Sequence, residues 1–101
     1  MIKFGISPED WSAIIQAIRS EEKIQEIVLF GSRAKGNFKT GSDIDIALNG
    51  DKISLIDLVN ISARLDELEL PYKFDLVIFD RIQEPKLTDH IQRAGISLYK
   101  R

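Results

Sequence analysis

Apolar residues recur along this chain in two rhythms, one helical and one strand-like. Trp11, Ile14, Ile15 and Ile18 share one helical face, with Asp10, Gln16, Arg19 and Ser20 on the other. Ser7 precedes that run, Pro8 suits the first helical position, and Glu9 and Asp10 bring negative charge to the first turn. A helix is therefore expected from Ser7 to about Ser20, with Trp11 in the core. Ile24 to Phe30 is instead rich in β-branched residues and stops at Gly31, the pattern of a buried strand. Ser32 to Gly36 has room for one helical turn, and the polar stretch Asn37 to Ser42, around Phe38, reads as a loop.

The alternation continues to the end. Asp43 to Leu48 is a second expected strand, closed by Asn49-Gly50, and Ser54 to Leu68 a second long helix. Its inner stripe is read as Leu55, Leu58, Val59, Leu65 and Leu68. After a boundary at Pro71, Phe74 to Phe79 forms a third strand, and Glu84-Pro85 opens a last helix in which Leu87, Ile91 and Ala94 align. Gly95 stops that helix, and Ile96 to Tyr99 can add a short final strand. Helices and strands in this order predict one α/β (α+β) domain over residues 1–101, a mixed β-sheet with helices packed mainly on one face.

Composition narrows the function classes. The 101 residues are 44% hydrophobic and 30% charged, with a net charge of −2. Basic residues number 14 against 16 acidic and are interspersed, so a long nucleic acid is not an expected partner. The absence of cysteine removes disulfides, thiolate metal sites and a cysteine nucleophile together. No apolar run is long enough for a bilayer, and Met1 to Gly5 does not open like a signal peptide. A cytoplasmic protein with no membrane partner is expected.

Carboxylates inside apolar strands call for a reason. Asp43 and Asp45, two apart in a run of Ile44, Ile46, Ala47 and Leu48, should leave the same face of a sheet, where they repel each other. A cation or a shared proton relieves that repulsion, and with a Gly-Ser turn nearby divalent metal is the economical explanation. Gly31-Ser32 lies ten residues earlier, and Asp75 falls near the start of the third strand. A triphosphate needs such a set: carboxylates that reach it through magnesium, a glycine that lets the backbone approach, and a hydroxyl donor. Arg33 and Lys35 are candidate cations for the residual phosphate charge, or turn residues of which one or both face water. Asp75 has a second reading, as a turn cap or a partner of Lys73, and Asp80 reads as a turn residue with Arg81. His90 reads as a helix residue, partly buried or at the surface, and Asp57, Asp66, Glu67 and Glu69 as a solvated helix face or, alternatively, a partner surface. Tyr99 is structural or an interface residue, with nothing to choose between them.

The run Leu29-Phe30-Gly31-Ser32-Arg33-Ala34-Lys35-Gly36, followed by Gly41-Ser42-Asp43-Ile44-Asp45, closely resembles the minimal nucleotidyltransferase (MNT) proteins of the DNA polymerase beta-like superfamily. Pro71 to Leu76 looks like that family's third-carboxylate strand, and Pro85 through His90-Ile91 to Gly95 resembles its usual ending. The resemblance implies the nucleotidyltransferase fold and metal-dependent transfer of a nucleoside monophosphate, with AMP from ATP the expected donor group. It implies two Mg2+ ions held by Asp43 and Asp45. Asp75 would bind the catalytic ion and help activate the acceptor, and Gly31, Ser32 and Arg33 would form the nucleotide site. It also implies a partner. Small MNT proteins are commonly paired with a helical HEPN-domain protein, and in such toxin-antitoxin pairs the MNT member can adenylylate the HEPN ribonuclease, typically on tyrosine, so a hetero-oligomer is expected, with a homodimer as the other possibility.

The rival reading belongs to another class, a catalytically silent nucleotide-binding module that neutralises or recruits a partner by contact alone. Addition of nucleotides to an RNA end expects a basic acceptor surface, which the near-neutral charge does not offer.

Overall fold

Ser7 opens the first helix through its hydroxyl, which accepts the Asp10 amide at 3.2 Å. In the computed structural model, which describes residues 2–101, that helix is α1 (Pro8–Arg19). It is followed by β1 (Ile24–Phe30), α2 (Gly31–Lys35), β2 (Ile44–Gly50), α3 (Leu55–Glu67) and β3 (Phe74–Ile78). A 3-10 turn (Phe79–Arg81), α4 (Pro85–Ala94) and β4 (Ile96–Lys100) complete the chain. The strands lie in the order β3-β2-β1-β4, with β1 antiparallel to both its neighbours and β2 parallel to β3. This is the expected mixed sheet.

Both faces of the sheet are covered, which explains the unbroken burial of Ile27 to Phe30. Ile27 and Leu29 join Trp11, Ile14 and Ile18 of α1 and Ile61 and Leu65 of α3 in the larger core. Val28 and Phe30 point the other way, to Ala47 and to Ile91 of α4. Among the described residues no helix is long and apolar enough to cross a membrane.

The structure moves several expected boundaries. β2 begins at Ile44, leaving Asp43 just ahead of it, and runs on to Gly50. β3 ends at Ile78, because Phe79 turns into the 3-10 segment. In α4 Leu87 and Ile91 face inward but Ala94 is exposed.

The largest correction concerns α3. Leu55 and Val59, expected inside, are 59% and 66% exposed, and Ile56 is 72% exposed. The buried stripe is Asp57, Ile61 and Leu65, flanked by Leu58 and Leu68. A capping box holds the Asp57 side chain at the start of the helix. The Ser54 hydroxyl accepts the Asp57 amide at 3.2 Å, and the Asp57 carboxylate accepts the Ser54 amide at 2.9 Å. Lys23, at the entry to β1, donates to the same carboxylate at 2.9 Å. Asp57 thus leaves the solvated face predicted for it and ties α3 to the sheet.

The Lys23 hydrogen bond, reinforced by the Ser54 amide, pulls the Asp57 carboxyl down from 3.8 to about 2 against the opposing effect of burial. A group depressed on folding stabilises the native state above its unfolded pKa, and that contribution disappears as pH falls through the folded value. Asp57→Asn is therefore expected to lower the urea midpoint at pH 7. The gap to wild type should narrow between pH 3.8 and about 2. A gap independent of pH, measured by denaturation at several pH values, would refute this account.

Candidate active site

Strand alternation decides where the aspartates point. In β2, Ile44, Ile46 and Leu48 belong to the larger core, so Asp45 and Ala47 project from the opposite face. In β3, Phe74, Leu76 and Ile78 do the same, which puts Asp75 and Val77 on the face of Asp45. The register then aligns them. Phe30 pairs with Asp45, and Asp45 with Asp75, so one rung across three strands carries both acids, with Gly31 immediately after β1. Neighbouring strands lie about 4.8 Å apart, close enough for the two carboxylates to meet.

Asp45 is half-buried, whereas Asp43 and Asp75 are exposed. Burial pushes the Asp45 carboxyl above its ordinary range. The charges of Asp75 and Asp43 and a hydrogen bond with Asp75 push it further, and only Arg33 opposes them. A divalent cation between the two carboxylates would relieve that repulsion. Hard carboxylate oxygens in mutual repulsion suit Mg2+, which is bound through one or two carboxylates and completes its shell with water and phosphate. Among the described residues no three such side chains converge into a formed cage. Asp45 and Asp75 meet, while Asp43 acts on Asp45 through its charge.

Gly31 is required twice over at this rung. Its φ is +79°, in the left-handed region, and a Cβ there would run into the Asp45 carboxylate. Ser32 follows on α2, half-buried, with Lys35 exposed at that helix's end. Arg33 departs from the expectation. It is only 3% exposed, and its guanidinium donates to the carbonyls of Phe4 and Ser42 rather than facing the open rung. Among the described residues Asp75 makes no ion pair with Lys73, and neither Asp80 nor His90 enters the charge environment of Asp45.

The sequence reading passed over the N-terminal turn. Lys3 and Ile6 exchange amide hydrogen bonds at 3.0 Å around Phe4 and Gly5, which have φ of +56° and +78°. Those values make a type I′ turn, for which a glycine in the second central position is the local signal.

Residues 12–101 match the family described as Polymerase beta, Nucleotidyltransferase. The chain belongs to that family. Over 76 residues this nucleotidyltransferase is 33% identical to "Putative protein adenylyltransferase MJ1217" of Methanocaldococcus jannaschii, covering 74% of this chain and 76% of the relative. A chain of a toxin-antitoxin crystal structure with AMP-PNP superposes with a TM-score of 0.75 at 27% identity, over 90% of this chain and 73% of the other. A chain from the Shewanella oneidensis complex of a tri-AMPylated HEPN toxin with its MNT antitoxin gives a TM-score of 0.69 at 24% identity. That match covers 92% of this nucleotidyltransferase and 71% of the other chain and shows a shared fold.

Gly31→Ala is expected to lower stability by about 1–2 kcal/mol through left-handed strain alone. It should also displace Asp45, shifting the carboxylate resonances of Asp45 and Asp75 in NMR spectra. An unchanged urea midpoint with unchanged resonances would show that the glycine is dispensable.

Proposed function

We propose that this protein transfers AMP from ATP, with magnesium, to a side-chain hydroxyl of a helical HEPN-domain partner, as the antitoxin of a cytoplasmic toxin-antitoxin pair. The observation that carries the reading is the rung itself: Asp45 opposite Asp75, with Gly31 against the Asp45 carboxylate. The relative named as a protein adenylyltransferase and the fold shared with HEPN-bound antitoxins support the choice of acceptor. The structure solved with AMP-PNP supports an adenosine triphosphate donor.

Asp43, Asp45 and Asp75 are the residues that would hold two magnesium ions. When bound, these ions supply positive charge that activates the attacking hydroxyl and stabilises the departing pyrophosphate. Gly31 leaves room for the triphosphate beside the rung, and Ser32 offers its hydroxyl to phosphate oxygens. Asp75 belongs to β3, at the sheet's edge, and is exposed, so an incoming protein can reach it. Its carboxylate orients the acceptor hydroxyl and draws off its proton. The hydroxyl oxygen bonds to the α-phosphorus, the bond from that phosphorus to the bridging oxygen breaks, and pyrophosphate leaves.

The double variant Asp43→Asn, Asp45→Asn should abolish the nucleotide adduct on the partner and the partner's neutralisation while remaining folded. Chelation of the metal should do the same to wild type. Intact mass of the partner after incubation with ATP and magnesium measures the first effect, and its ribonuclease activity the second. Full neutralisation by the double variant would replace transfer with the contact-only reading.

A further inference from the structure

Arg33 follows Ser32 directly, yet its guanidinium sits at the crossing of the chain segments that lead into two of the acids. Its Nη2 and Nε donate to the Ser42 carbonyl at 2.8 and 3.3 Å, and Nη1 donates to the Phe4 carbonyl at 2.9 Å. The rings of Phe38 and Tyr72 lie 5.0 and 5.7 Å from the guanidinium carbon. The partners come from three pieces of the fold: the N-terminal turn, the loop over 37–42 and the approach to β3. Ser42 immediately precedes Asp43, and Tyr72 lies three residues before Asp75.

Those pieces are themselves braced. The turn ahead of Asp43 is closed twice, by the Ser42 amide donating to the Lys39 carbonyl and the Lys39 amide donating to the Ser42 hydroxyl, both at 2.9 Å. That turn is a unit, and Arg33 fastens the unit to the body of the protein. Tyr72 donates its hydroxyl to Asp10 of α1 at 3.0 Å, fixing the approach to β3. On the far side Phe4 adopts a φ of +56°, unusual for a residue with a side chain, and its carbonyl meets Arg33. Gly5 leaves the necessary space, since a Cβ there would come within 2.9 Å of Arg33 Nη1 and 2.6 Å of Phe38 Cε2.

We propose that Arg33 is a positioning residue that sets the place of Asp43 through the Ser42 carbonyl and the entry to β3 through Tyr72. It takes no part in holding phosphate. A planar guanidinium can bond two carbonyls at an angle and present flat faces to aromatic rings at once; a lysine ammonium cannot, although it carries the same charge. The inference rests on the roles proposed above for Asp43 and Asp75.

The test compares Arg33→Lys, which keeps the charge, with Arg33→Met, which removes it. Phe38→Leu serves as a third variant that loosens the stack without touching the cation. Amide hydrogen exchange is measured on the protein free of metal and nucleotide, so this readout does not depend on transfer activity. Lysine and methionine variants alike should speed exchange at Ser42 by about tenfold or more, while interior amides of β1 and β2 keep their protection. In steady-state transfer, both should lower kcat by about tenfold with KM for ATP changed by less than about threefold. Phe38→Leu should move exchange and kcat in the same directions by a smaller factor. Wild-type exchange at Ser42 in the lysine variant overturns the proposal, as does a rise in KM for ATP at unchanged kcat that lysine rescues. A wild-type protein with no transfer activity would defeat the proposed function but leave the exchange result to decide this inference.

Discussion

Burial of apolar surface does not ask for Asp45 and Asp75 to stand opposite each other. The parallel register of β2 and β3 nonetheless puts them there, on a rung whose other face is packed against α1 and α3. Like charges across a rung destabilise a sheet, and burial together with the charges of Asp75 and Asp43 raises the pKa of Asp45. The rest of the domain is arranged so that the pair survives. Consecutive buried residues in β1 anchor the sheet on both faces, and the core beneath Asp45 is formed by Ile44, Ile46 and Leu48, all fully buried. The stability that these aliphatic side chains provide, each worth about 1.5–3 kcal/mol on burial, is what allows a strained polar rung to persist above them.

Much of this was legible in the residues. Ser7-Pro8 and the spacing of Trp11, Ile14 and Ile18 defined α1, and the acids within apolar runs pointed to the face that carries them. Where the reading failed, the missing information was long-range. α3 and its C-cap carry Leu55, Ile56, Leu58, Val59, Ile61, Leu65 and Leu68, so apolar residues occupy most of the circumference and periodicity alone could not say which arc is inside. The Lys23–Asp57 pair, 34 residues apart, decides it.

Arg33 illustrates the same limit at the site. Beside Gly31-Ser32 and with its charge in view, it reads as a phosphate ligand. Its actual neighbours, Phe4, Phe38, Ser42 and Tyr72, arrive from both sides along the chain and can be seen only once folded. The acids of the rung were easier, because strand alternation is local and an aspartate in an apolar strand is conspicuous. The pairing of Asp45 with Asp75, by contrast, depends on a parallel crossover through α3, whose register no short segment encodes.

That crossover has an evolutionary consequence. The separation of Asp45 and Asp75 is inherited from main-chain hydrogen bonds between β2 and β3, not from the side chains around them. A lineage can therefore redecorate the exposed surface, Leu55, Ile56 and Val59 included, without retuning the spacing of the acids. The spacing of the acids is thus a property of the backbone, and the exposed surface can vary without disturbing it.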